Sequence, residues 1–229
     1  MLILAIDTSS KTASIALLDK DEILSEIFIN LGVNHSAVLL PALQELLRMS
    51  QIVPEKIELF ACTEGPGSFT GLRIGVSTVK GLSLATGKPI VGVSTLEALA
   101  FNCIGSGLLV CPMMDAKKNQ VYTTLYRTGR DEKLEKIKDD MVTDVREFLQ
   151  HIQEEVMFVG DGAIQYSGII NDNLRGKAYY ASPCHHSVRA AAVGLLALSK
   201  YDNGDFSDSV TFTPRYFRLS EAEVKHTLQ

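Results

Sequence analysis

The chain has 229 residues, 46% of them hydrophobic and 21% charged, with no tryptophan and a formal net charge of −5. At roughly 150 residues per domain this is one large domain or two small ones, and the apolar share excludes a disordered chain. Acidic and basic residues number 10 and 7 over residues 1–100, and 17 and 15 over the rest, so neither half is a basic nucleic-acid module. No basic residue precedes the apolar start, and the longest apolar stretch, 190–198, is far below the roughly 18 residues of a membrane span. Cysteines 62, 103, 111 and 184 form no Cys-x-x-Cys pair, which fits a reduced, cytoplasmic protein without a membrane partner.

Residues 2–8 and 12–18 are apolar runs joined by a Ser-Ser-Lys turn and read as a hairpin, with 22–30 as a third strand. Residues 34–49 switch to helical spacing: Leu39, Leu43 and Leu46 form one stripe, Leu40 and Leu47 another. A short strand over 57–63, a helix over 68–85, a strand over 90–94 and a helix from Thr95 complete the first half. Glycines at 105 and 107 break the pattern. The second half repeats the order: strands over 108–114, 121–126 and 133–142, a helix over 143–153 capped by Thr143 or Asp144, a strand over 156–159 and a helix over 163–171. A strand over 178–181 and an apolar helix over 188–201 close it. The repeat predicts two related lobes, 1–103 and 104–229.

Three features bear on chemistry. Asp7-Thr8-Ser9-Ser10 closes the first strand, where an acid can hold a hydrated metal while amides and hydroxyls face a phosphate; on local sequence alone an ordinary turn is the better account. Gly65-Pro66-Gly67-Ser68-Phe69-Thr70-Gly71 joins a strand to a helix with Ser68 as a cap. It lacks both the Walker and the dinucleotide spacing. Within that helix Gly71 and Gly75 lie on one face with Ile74 and Thr78 nearby, a small-residue stripe that admits close approach of another helix. Together with the doubly apolar helix over 34–49, it suggests either a protein–protein interface or a helix sandwiched inside the domain. Pro41 is expected to bend the latter helix.

The histidines argue against a metal site. His35 opens a helix but has Leu39, not a second histidine, four residues on; His185 and His186 are adjacent and diverge, while His151 and His226 are isolated. Asp115-Ala116-Lys117-Lys118 and Gly160-Asp161-Gly162 read as turns, and Pro214-Arg215-Tyr216-Phe217-Arg218 as a docked segment ahead of a frayed tail.

Taken together, Ile3-Leu4-Ala5-Ile6-Asp7-Thr8-Ser9, His35-Ser36 with Leu39-Leu40-Pro41, the glycine loop through Gly75, Asp115-Ala116 with Val121-Tyr122, Gly160-Asp161-Gly162 and Pro214–Arg218 resemble the TsaB (YeaZ) family. Its members are accessory proteins of threonylcarbamoyladenosine synthesis on tRNA. The resemblance spans nearly the whole chain and implies an α/β, actin/Hsp70-like (ribonuclease H-like) fold of two duplicated lobes. It implies a non-catalytic scaffold that binds the transferase TsaD through the N-terminal lobe, joined by the small ATPase TsaE, with tRNA reached only through the complex. His35, Leu39, Leu43, Leu46, Gly71, Ile74, Gly75 and Thr78 are the expected partner interface, which also supports homodimers, and the tail is expected to pack back on the first lobe. Asp7, Thr8 and Ser9 would be a vestigial cofactor site. No cofactor is required; ATP or ADP near the interface is an expectation without assigned residues. A rival reading is an ATP-dependent phosphotransferase or ATPase of the same fold with Asp7 on magnesium; a metallopeptidase is a third, weakened by the missing histidine pair.

Overall fold

The computed structural model describes residues 1–129 and 133–218; His226 and the predicted frayed tail lie outside the described residues. The first half contains β1 (Leu2–Asp7), β2 (Ala13–Asp19), β3 (Glu22–Ile29), α1 (His35–Ser50), β4 (Leu59–Gly65), α2 (Phe69–Thr86), β5 (Ile90–Ser94) and α3 (Thr95–Phe101). The second contains β6 (Leu109–Asp115), β7 (Gln120–Thr123), β8 (Tyr126–Thr128), β9 (Leu134–Lys136), β10 (Met141–Asp144), α4 (Val145–Leu149) and β11 (Val156–Val159). It ends in α5 (Asp161–Gln165), α6 (Ser167–Leu174), β12 (Ala178–Tyr180) and α7 (Ala190–Asp202). Among the described residues no helix is long and apolar enough to cross a membrane.

Two sheets repeat one topology. The first runs β3-β2-β1-β4-β5 and the second β10-β7-β6-β11-β12, with β8 and β9 attached to β6. In each, the first three members pair antiparallel and the last two join parallel to the leading strand. Parallel neighbours require helical crossovers, so both faces of the first sheet are covered and β1 is apolar on both sides. Leu4 and Ile6 face α1 and α2, whereas Ile3 and Ala5 face α3 and α7. That second face is shared: one apolar cluster joins β1, β2, β4 and β5 to α3, α7 and the inner residues Val110, Met114, Tyr126 and Val159 of the second sheet. Although α7 follows the second sheet in the chain, it lies on the first, where a Cβ at Gly194 would stand 2.4 Å from a Leu18 methyl.

The second half departs from the sequence pattern in its details. The predicted strand over 121–126 divides into β7 and β8 at Thr124, whose hydroxyl donates to the Lys138 carbonyl. The run over 133–142 divides likewise, since β9 pairs with β8 while β10 pairs with β7. The predicted helix over 143–153 shrinks to α4 because Thr143 belongs to β10; Asp144 is its cap, accepting from the Arg146 and Glu147 amides at 2.8 and 3.3 Å. The helix over 163–171 is broken into α5 and α6 at Tyr166, whose hydroxyl donates to Asp115 Oδ1 at 2.9 Å.

Helix α1 remains one helix through Pro41. Leu39, Leu43, Leu46 and Leu47 all turn into the core against β1, β2 and β4. Of the expected partner contacts, Leu39, Leu43 and Leu46 thus lie inside the lobe, with Leu39 also bordering a groove between α1 and α2. Leu40 alone of the leucines stays outside, 54% exposed against 1% for Leu39. Both apolar stripes therefore reduce to one core stripe and one exposed leucine. Leu46→Ala is expected to lower unfolding stability in denaturant by about 2–5 kcal/mol, and Leu40→Ala by less than about 0.5 kcal/mol. Equal losses would contradict this division of the helix.

Candidate functional site

The mouth of the first sheet is closed by the chain itself. From the end of β1 the turn Thr8-Ser9 meets the loop between β4 and α2, whose Ser68 amide donates to the Ser9 carbonyl at 2.7 Å. The Thr8 hydroxyl donates to the Gly71 carbonyl at 2.7 Å, and Ser68 Oγ caps α2 by accepting from the Gly71 amide at 3.2 Å. The loop glycines are required by this approach. A Cβ would lie 2.3 Å from the Ser9 carbonyl oxygen at Gly67, 2.0 Å from that of Thr8 at Gly71 and 2.6 Å from Thr8 Oγ1 at Gly75. The small-residue stripe thus fits the chain's own strand end, and Gly71 and Gly75 of the expected interface face it.

This packing also removes Asp7, Thr8 and Ser9 from solvent, at 0, 1 and 0% exposure. Asp7 Oδ1 accepts from the Ser9 amide at 3.1 Å and from the Thr63 hydroxyl at 2.7 Å, while Oδ2 and Ser9 Oγ are buried without a hydrogen-bond partner. Burial raises the Asp7 carboxyl above its usual range, against the pull of its bonds from Ser9 and Thr63. A magnesium ion or phosphate needs an ionised, reachable acid and free amides. Here the acid is enclosed and the Ser68 and Gly71 amides are engaged, so these residues do not fit a nucleotide phosphate or its metal. The expected cofactor site at Asp7, Thr8 and Ser9, vestigial in that reading, is this enclosed strand end.

What α1 and α2 leave outside is a shallow groove of about 510 Å³ bordered by Ser36, Leu40, Phe69, Arg73, Ile74 and Thr78. Of the expected interface, Ile74, Thr78 and His35 are half-buried. Thr78 Oγ1 donates to the Ile74 carbonyl at 2.8 Å, and His35 Nε2 lies 2.8 Å from the Ser10 carbonyl, tying the start of α1 to the β1–β2 turn. Among the described residues no three His, Cys, Asp or Glu side chains are grouped to hold a metal.

A second cavity of about 1080 Å³ separates the lobes, with Ser10, Lys11 and Phe69 on one side and Asp115, Lys117 and Asp161 on the other. Asp115 ends β6 as Asp7 ends β1, and Gly160-Asp161-Gly162 repeats the glycine loop: a Cβ at Gly160 would stand 2.2 Å from the Met113 carbonyl oxygen. Burial opposes ionisation of Asp115, yet the Lys117 ammonium and amide and the Tyr166 hydroxyl hold it below its ordinary value; burial raises Asp161. Lys117, Lys118 and Asn119 are all left-handed, at φ 65, 54 and 60°. His186 is structural, its Nδ1 accepting from the Gly160 amide at 3.1 Å and its Nε2 facing the Ala181 carbonyl at 2.8 Å. Taken as separate motifs, Asp115 and Asp161 are turn residues; aligning the internal repeat on Asp7 is the sequence signal that locates them.

The family model described as TsaD, tRNA N6-adenosine threonylcarbamoyltransferase, matches residues 22–226. A Bacillus subtilis (strain 168) protein, tRNA threonylcarbamoyladenosine biosynthesis protein TsaB, is 36% identical over 227 residues, covering 98% of this chain and 97% of the relative. The chain belongs to the TsaB (YeaZ) family. Its relative of the same description from Escherichia coli (strain K12) is 32% identical over 169 residues, or 71% of this chain and 72% of that one. A solved structure described as an uncharacterized protein with similarity to peptidase YeaZ, from Pseudomonas aeruginosa, aligns with a TM-score of 0.79. It is 25% identical and covers 95% of this chain and 99% of that chain. Component A of the Acidaminococcus fermentans (R)-2-hydroxyglutaryl-CoA dehydratase, at a TM-score of 0.53, 12% identity, and coverage of 88% and 99%, shares the fold alone. The fold is the actin/Hsp70-like one, with two duplicated lobes.

Two measurements check the closed strand end. Gly81→Ala, at an α2 position with nothing within 4 Å, is expected to stabilise by about 0.5–1 kcal/mol, whereas Gly71→Ala should lower the melting temperature by several degrees or prevent folding. A rise in both would show that the loop does not press on β1. For Asp7 the folded carboxyl holds its proton more tightly than the unfolded one. Its stabilising share is therefore complete below the unfolded carboxylate range, near pH 4, and is lost as pH rises through the raised folded value. The melting temperature of the native protein should fall relative to Asp7→Asn between pH 4 and pH 8. A difference that is constant, or that moves the other way, would mean an ionised Asp7.

Proposed function

We propose that this chain is a non-catalytic scaffold subunit needed for threonylcarbamoyladenosine formation on the adenosine beside the tRNA anticodon. It acts by binding and supporting the transferase TsaD, with the ATPase TsaE joining the complex in the cytoplasm. The observation that carries the reading is the enclosed Asp7-Thr8-Ser9 strand end, which lacks a reachable acid or a free phosphate cradle. The names of its relatives place them in the same biosynthesis. Leu39, which stands four residues after His35 where a helical metal site would need a second histidine, is a core residue.

In this proposal TsaD covers the groove beside Leu40, Phe69, Arg73 and Ile74, and a second copy of the chain uses the same face when TsaD is absent. The interface is narrower than the sequence expectation: His35, Ile74 and Thr78 stay in it, and the residues that turn inward do not. A net charge of −5 without a basic segment supports tRNA contact through the complex rather than by this chain alone.

The double variant Leu40→Glu, Ile74→Glu puts charge into that groove while sparing the core. It should lose co-purification with TsaD and, in cells carrying only this variant, deplete threonylcarbamoyladenosine in bulk tRNA measured by mass spectrometry. Unchanged binding together with an unchanged nucleoside level would sink the proposal. The rival phosphotransferase or ATPase would instead turn over ATP at about 1 per second or faster and lose that activity in Asp7→Ala.

A further inference from the structure

After α7 the chain does not leave the molecule but runs back over the first lobe. Ser207 and Ile90 exchange backbone hydrogen bonds at 2.8 and 2.9 Å, and Phe212 is buried in the outer core beneath α2. Lys80 of α2 donates to the Phe212 carbonyl at 2.7 Å. The Arg215 amide donates to the Glu64 carbonyl at 2.7 Å and its guanidinium lies 3.3 Å from Glu64 Oε1. Gly65 is shaped for this passage, because a Cβ there would stand 2.3 Å from the Arg215 carbonyl oxygen.

At Tyr216 the segment reaches the groove face. Its ring lies on Phe69 with centroids 4.6 Å apart, and its hydroxyl accepts from Arg73 Nε at 3.1 Å. The Arg73 guanidinium in turn covers the Phe69 ring at 3.9 Å. Such stacks hold otherwise freely rotating side chains in one arrangement. Two residues later the segment has crossed to the second lobe: Phe217 meets Tyr122 edge-on at 6.4 Å, and Arg218 donates to the Ala116 carbonyl at 2.7 Å. Phe69 and Arg73 therefore belong both to the groove and to a strap that ties the lobes together.

We infer that the strap 207–218 assembles the partner-binding face: Tyr216 is a positioning residue that presets Phe69 and Arg73, and the Arg218 anchor couples that face to the neighbouring lobe. The inference rests on the proposed TsaD-binding role of the groove and adds its regulation. A partner on the groove binds best when the strap is seated, and by reciprocity steadies the strap and the cleft beneath it.

The test measures the affinity of purified TsaD for the full chain and its variants. Tyr216→Ala should weaken binding about tenfold, and Tyr216→Phe, which keeps the ring stack, should restore most of it. Tyr216→Ala and Arg73→Ala together should weaken binding by less than the sum of their separate effects, since residues acting through one contact are not additive. Arg218→Ala, remote from the groove, should weaken binding several-fold. Binding within twofold of the native chain for Tyr216→Ala and Arg218→Ala, or fully additive losses for Tyr216 and Arg73, would overturn the inference. Amide hydrogen exchange over residues 69–76 of the free protein gives a readout independent of TsaD. Faster exchange in both Tyr216→Ala and Arg218→Ala supports the strap even if the Leu40, Ile74 variant binds TsaD normally, a result that would defeat only the groove assignment. Unchanged exchange in both variants overturns the strap.

Discussion

The contact of the β4–α2 loop with the end of β1 is the constraint on which the first lobe depends. Three glycines remove the Cβ atoms that would otherwise hold α2 away, and the gap they leave is filled by the carbonyls of Thr8 and Ser9 and by the Thr8 hydroxyl. Close packing of this kind leaves no room for solvent, so the acid at the strand end is isolated from water. In a duplicated fold whose strand ends face a cleft between lobes, that one contact decides whether the first strand presents chemistry or merely ends. Here it encloses the Asp7 carboxyl, and the exposed apolar features of the lobe lie on the outer face of α1 and α2.

The two lobes are not separable bodies. Helices α3 and α7 contribute to a single apolar cluster that includes the inner faces of both sheets, and α7 crosses from the end of one repeat to cover the sheet of the other. Glu26 of β3 receives the Arg189 guanidinium at 2.6 Å just before α7 begins, which fixes the entry of that helix. The segment that follows α7 adds contacts to both lobes. Relative movement of the lobes must therefore deform either a shared core or a stacked surface segment, and the second is the softer of the two because its contacts are few and near solvent.

How much of this was legible depends on the range of the interaction involved. The short apolar run of β1 and the helical spacing in α1 report local geometry, and those elements lie close to where the pattern puts them. The repeated order of elements similarly exposed the duplication. Patterns fail where two partners compete: the 121–126 and 133–142 runs are continuous in the sequence, yet each divides because its two ends pair with different strands. Gly71 and Gly75 are an instance at the site. Their spacing says that something comes close, without distinguishing a neighbouring helix from the chain's own strand. Leu39 and Leu40 differ only in a rotation of about 100° around the helix axis, which is enough to place one in the core and the other in water.

By itself the sequence determined the class of fold, its doubling, the glycine loop and the absence of a histidine pair, because periodicity and residue chemistry are properties of short segments. Only the tertiary structure decided which apolar residues are covered from within, that the Asp7 carboxyl is enclosed, and that Tyr216 meets Arg73 across more than half the chain. Burial and charge state depend on what the rest of the molecule places opposite a residue, and that is set by packing between segments far apart in sequence.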